Sequence, residues 1–148
     1  MKLIVVITLT LMLSLPVAQA EMSDVESTRL LAEQDDPYSQ LYLAYMYEHG
    51  KGLPVDMEQA YHWYRKAADH GMPAGQHSLG LMYAEGVVVP QDDLAAYIFF
   101  YMAAVQSHDG ASKKRDEMAA RLNAEQLDRG QKLAIACVES RYTECPLQ

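Results

Sequence analysis

The residues in this chain that could do covalent chemistry are few and scattered. Ser78 lies in Gln76-His77-Ser78-Leu79-Gly80, which has a superficial likeness to a nucleophile elbow. The leading glycine is missing, however, and the helical register described below puts Ser78 inside a helix, whereas an elbow needs a strained strand-to-helix turn. No S-x-x-K, H-E-x-x-H or G-x-x-x-x-G-K motif occurs, so the usual acyl-enzyme, zinc-protease and phosphate-loop chemistries have no residues to run on. Gly50-Lys51-Gly52 reads as a helix-ending turn. The histidines at 49, 62, 70, 77 and 108 form no i, i+4 pair and no Cys/His cluster. They read as surface and cap residues, and neither a metal nor another cofactor is expected.

Two further sets of side chains carry more weight. Cys137 and Cys145 enclose seven residues, too wide for the C-x-x-C spacing of catalytic dithiols. If the chain is exported, they are expected to form one disulfide that ties the tail to the last helix, contributing ~2.5 kcal/mol in the chain-entropy model. Tyr38, Tyr42 and Tyr45 stand at i, i+4 and i+7, on a helix face distinct from the one carrying Leu43, Met46 and Tyr47. Tyrosine offers a large apolar area and a hydrogen-bonding tip at small entropic cost, which suits peptide or protein binding. Tyr42 is expected in the open. Tyr38 is placed either in the open or under an N-terminal cap helix.

Those side chains need elements to hold them, and a repeat supplies them. At a shift of 36, Leu43 falls on Leu79, Met46 on Met82, Tyr47 on Tyr83, Gly50 on Gly86, Pro54 on Pro90, Asp56 on Asp92, Ala60 on Ala96, Trp63 on Phe99 and Ala67-Ala68 on Ala103-Ala104. A period of this length marks a solenoid. Asp36-Pro37 is an N-cap followed by a first-turn proline, and Gly50 supplies a left-handed helix stop. Asp56 caps the next helix, and Gln59 stands where it could close a capping box. The second unit places one helix over about 73–85 and another over about 93–106. Each unit is therefore an antiparallel helix pair. Small residues at Ala44, Gly80, Ala60, Ala96 and Ala67 let helices approach, and Trp63 and Leu79 are expected to be costly truncations, at roughly 1.5–3 kcal/mol each.

The ends read as caps. Ser23-Asp24-Val25-Glu26 opens a short helix, and Asn123-Ala124-Glu125-Gln126 opens a last one. Between them, Ala111 and Met118 continue the register of the two units in a degenerate, charged third unit, as a terminal repeat must be for solubility. The chain is thus expected to be an all-α, α/α solenoid: repeats over about 35–71 and 72–108, and a C-terminal cap over 109–148. In such solenoids the first helices of each pair line the concave face. The groove would then run from Tyr38, Tyr42 and Tyr45 through Ser78 and Leu81 toward Lys114 and Glu117.

Composition bounds the rest. The 148 residues are 50% hydrophobic and 22% charged, with ten Tyr and nine Met, and 20 acids against 12 Lys plus Arg give a formal charge of −8. Nucleic acid is disfavoured, because a phosphate backbone is held by clustered cations. Lys2, the apolar run from Leu3 to Leu15, Pro16 and Ala18-Gln19-Ala20 have the three parts of a secretory signal. The run is shorter than the ~20 residues of a spanning helix. Cleavage after Ala20 is expected, leaving residues 21–148 in the periplasm or outside the cell, with no stable membrane insertion. There a disulfide would persist.

The run Gly50-x-Gly52-Leu53-Pro54-x-Asp56-x-x-x-Ala60-x-x-Trp63-Tyr64-x-Lys66-Ala67-Ala68-x-x-Gly71, echoed by Leu79-Gly80-Leu81-Met82-Tyr83-x-x-Gly86 and Pro90-x-Asp92, resembles the Sel-one-like repeat, a relative of the tetratricopeptide repeat. Arg115-Asp116-x-Met118-Ala119-Ala120-x-Leu122 resembles the C-terminal cap of bacterial members. Val88 in place of the loop's second glycine, Phe99 in place of Trp and the junction Ser107-His108-Asp109 depart from the pattern, and they bear on loop geometry rather than on the fold. The resemblance implies an α/α superhelix that holds a protein or peptide partner, acting as a monomer or as a subunit of an envelope complex, without catalysis. The alternative is a β-lactam or peptidoglycan-directed hydrolase, as associated with cysteine-rich secreted relatives.

Overall fold

The computed structural model describes residues 23–143 and 145. The expected signal segment, 1–20, lies outside the described residues. The described residues form seven helices in chain order: α1 Asp24–Glu33, α2 Pro37–His49, α3 Met57–Asp69, α4 Pro73–Glu85, α5 Asp93–Val105, α6 Ala111–Ala119 and α7 Ala124–Glu139. No strand occurs among the described residues.

Six of the described starts have a local cause, α6 being the exception. Ser23, Asp36, Asp56 and Asp92 accept hydrogen bonds from first-turn backbone N–H groups, and Pro37 and Pro73 occupy first-turn positions that need no donor. At Asn123 and Gln126 the capping box is complete in both directions. At Asp56 only the bond from the Gln59 N–H to the cap side chain forms, so that box is half built.

The repeat is kept down to single hydrogen bonds. After α2 the Lys51 N–H bonds the Met46 carbonyl at 2.9 Å and the Asp56 N–H bonds the Tyr47 carbonyl at 3.0 Å; after α4 the Val87 N–H bonds Met82 and the Asp92 N–H bonds Tyr83, both at 3.0 Å. Gly50 and Gly86 are left-handed at φ 67° and 71°. So is Val88, at φ 67°, matching Gly52 one unit earlier at 73°. The missing glycine therefore leaves the loop unchanged and puts a β-branched residue into a conformation it resists.

The core follows the two units. Leu43, Leu79, Ala60, Ala96, Ala67, Ala103, Ile98 and Phe100 are fully buried, and Trp63, Tyr64 and Phe99 nearly so. A Cβ on Gly80 would stand 2.7 Å from the Phe100 ring, so glycine sets the spacing of α4 and α5. The third unit departs from the first two. α7 packs on α5 rather than on α6, with Gly130 facing Leu94 and Tyr97 at 2.8 and 3.0 Å from a would-be Cβ. Cys137 and Cys145 come together at disulfide distance, with Cα atoms 4.7 Å apart, and bring the tail back over the junction of the two repeats.

Candidate partner-binding groove

The first helices α2, α4 and α6 carry the expected groove residues. Tyr38, Tyr42 and Tyr45 are 72%, 50% and 40% exposed, so α1 does not cover Tyr38. The rings of Tyr42 and Tyr45 are parallel to within 12° at 6.3 Å, and His49 stacks on Tyr45 at 4.2 Å. Three exposed rings thus run along α2 at i, i+3 and i+7, held in a row by the helical rise.

Ser78 and Leu81, on α4, are half-buried, and Leu81 packs against the core. It supplies apolar footing rather than an exposed anchor. Ser78 lies near the Tyr64 hydroxyl, which donates to the Glu48 carboxylate at 2.5 Å. Burial, followed by the Glu48 bond and charge, pushes the Tyr64 hydroxyl well above its ordinary range, so it stays protonated and remains a donor. Tyr45, Glu48, Tyr64 and Ser78, from three helices, therefore form one polar and aromatic patch. Lys114 lies further along, paired with Glu117 at 3.2 Å. Such a pair near the surface contributes little energy and leaves both charges accessible to a partner.

Tyr42 also borders an open cleft of about 550 Å³ between the start of α1 and the loop after α2, lined with it by Ser23, Asp24, Met46, Lys51 and Gly52. Sequence reasoning did not find this cleft, because it forms between residues about twenty apart. It also missed Glu48 and Tyr64, although the signal was present: one unit on, their registers hold Ala84 and Phe100. It treated the histidines as separate, yet His77 and His108 stack at 4.7 Å. Burial, then the nearby His108 and Lys114, hold the His77 imidazole below its usual pKa.

For catalysis the arrangement offers little. Ser78 is in the middle of α4, the phenol nearby has a raised pKa, and among the described residues no group of three metal-ligating side chains gathers.

The family of the Sel1 repeat matches residues 37–72 and 73–108, the two helix pairs α2–α3 and α4–α5. The chain is a Sel1-repeat protein. Solved Sel1-type structures superpose on it. A protective antigen present in uropathogenic Escherichia coli strains, described as displaying an SLR fold, is 31% identical with a TM-score of 0.74, over 80% of this chain and 26% of that one. A Sel1 repeat protein from Oxalobacter formigenes is 30% identical with a TM-score of 0.60, over 69% of this chain and 43% of that one. Chitin synthase regulatory factor 3 of Schizosaccharomyces pombe is 34% identical over 90 residues, 60% of this chain but only 10% of that protein's length. Sel1 repeats typically mediate protein–protein interaction, and this chain carries two of them. Among its described residues no helix is long and apolar enough to cross a membrane.

Proposed function

We propose that this Sel1-repeat chain is an exported adaptor that holds a protein or peptide segment against its first helices, with Tyr42 and Tyr45 as anchors. The single observation that carries the reading is the exposed ring row of α2. Two tyrosines, 50% and 40% exposed and stacked parallel, leave apolar area in water that only a partner would cover. Tyr38 and Leu81 extend that surface along and across the groove, and Ser78 and Lys114 add hydrogen-bonding and charged contacts toward its far end.

Export is supported by the signal-like composition of residues 1–20 and by the approach of Cys137 and Cys145, since a disulfide persists in an oxidising compartment. The mature domain is then 21–148, working in the periplasm or outside the cell, alone or as one subunit of an envelope complex.

Affinity capture from envelope extract tests the groove. Wild type should retain a partner that the Tyr42→Ala/Tyr45→Ala double variant loses, while both have the same helical circular dichroism. Equal capture by both proteins contradicts the reading. Export is tested separately: fractionation should place the protein, shortened at its N-terminus, outside the cytoplasm.

A further inference from the structure

Unit one carries a chemistry that unit two does without. In unit two the registers of Glu48 and Tyr64 hold Ala84 and Phe100, and that unit folds with the same helices, loop bonds and core. A carboxylate held by a buried phenol is therefore not a requirement of the scaffold.

What the pair does is hold an anion beside exposed aromatic rings. The Oε2 atom of Glu48 takes the Tyr64 hydroxyl, and it lies 3.7 Å from the Nδ1 of His49. The Oε1 atom accepts no hydrogen bond from the described residues, and the side chain keeps 32% of its area exposed. Next to it on α2, Tyr45 stacks between Tyr42 and His49. Ring faces carry negative potential and attract cations. The C-terminal end of α2 adds the negative pole of the helix dipole within the same turn, and one unit on Glu85, at the register of His49, places a second exposed carboxylate at the corresponding end of α4. Lys51 lines the cleft that Tyr42 borders, which sets the seat of a cation at Tyr45 rather than at Tyr42.

Resting on the groove reading above, we infer that Tyr45, Glu48 and His49 form a subsite for a cationic side chain, arginine or lysine, so that the partner segment held by this chain is basic. A guanidinium fits best, because its planar edge can donate to a carboxylate oxygen while its weakly hydrated plane packs against the neighbouring aromatic row. The formal charge of −8 draws such a segment in from a distance.

Fluorescence anisotropy with three labelled decapeptides, alternating Ala-Arg, Ala-Gln and Ala-Glu, tests this on the mature chain. The Ala-Arg peptide should bind about tenfold more tightly than Ala-Gln, and Ala-Glu should not bind. Glu48→Gln, which still offers Tyr64 an acceptor, should weaken Ala-Arg binding about fivefold, whereas Glu139→Gln, an equal loss of charge at the end of α7, should leave it unchanged. Tyr45→Leu should weaken it about as much as Glu48→Gln does. Equal effects of the two glutamate substitutions mean general attraction to an acidic surface and overturn the inference, as does the absence of Ala-Arg binding. If Ala-Gln binds as well as Ala-Arg and is lost on Tyr42→Ala/Tyr45→Ala, the cation subsite fails and the groove stands. If Ala-Arg binds without regard to Tyr45, both fail.

Discussion

The ring of Tyr142 lies on Gly71, with two ring carbons only 2.5 and 2.6 Å from where a Cβ on that glycine would stand. Gly71 is the left-handed residue, φ 79°, between α3 and α4, while Tyr142, itself left-handed at φ 68°, belongs to the tail after α7. The last residues of the domain thus close over the joint between its two repeats. Close to the Tyr142 hydroxyl, the buried Gln76 side chain accepts a hydrogen bond from Gln106 at 2.9 Å. The approach of Cys137 and Cys145 holds this strap in place.

Opening the strap is expected to loosen the joint. Replacing both cysteines by serine should lower stability by up to ~2.5 kcal/mol, and Gly71→Ala should be destabilising even with the cysteines intact, because the methyl group has no room beneath the ring. Thermal unfolding of the three proteins measures both effects. Thiol labelling of the native protein should find no reactive cysteine; two labelled thiols would remove the covalent part of this account.

Val88→Gly should stabilise the protein. Val88 is 44% exposed and sits at φ 67°, so the substitution loses little burial and relieves a strained left-handed valine. The net gain is expected at about 0.5–1 kcal/mol, after the extra flexibility of glycine in the unfolded chain is set against the relief. Chemical denaturation should show a higher midpoint with an unchanged slope.

The Glu48/Tyr64 pair can be replaced by what unit two uses. Tyr64→Phe together with Glu48→Ala should keep the fold within about 1 kcal/mol of wild type, because no buried donor or acceptor is left alone when both are removed. Tyr64→Phe alone should also fold. A double variant that fails to fold would show that the pair is structural.

Stability should fall as pH drops below about 6.5, with His77 as one cause. Its imidazole has a depressed pKa in the fold, owing first to burial and then to His108 and Lys114. The unfolded chain therefore takes up the proton first, and the loss begins at the unfolded value of about 6.5 and stops growing once the folded histidine also protonates. His77→Gln should flatten this part of the melting temperature profile. An identical pH profile in the variant would exclude His77 as a cause.

Much of this fold was legible because its punctuation is local. Asp36-Pro37, the paired Gly50 and Gly86, and Asn123-x-x-Gln126 mark helix ends within a few residues of chain, and α4 begins and ends where the spacing predicts. The repeat then converts local helices into stacked pairs. What was not legible depends on contacts between distant residues. Gly130 bringing α7 onto α5, Tyr142 covering Gly71, and His77 meeting His108 are all set by packing, and no spacing within one element encodes them. The exposure of Tyr42 and Tyr45 was readable as well, since it follows from helical period. The carboxylate beside them was visible only as a difference between the two units, which a search for similarities between repeats passes over.

The most direct test of the groove is photocrosslinking in the cells that make the protein. A benzophenone side chain placed at position 42 or 45 should trap the same partner protein, and one placed at exposed positions on other helices, 58 on α3 or 132 on α7, should trap none. Crosslinks to that partner from 58 or 132 and none from 42 or 45 would contradict the account.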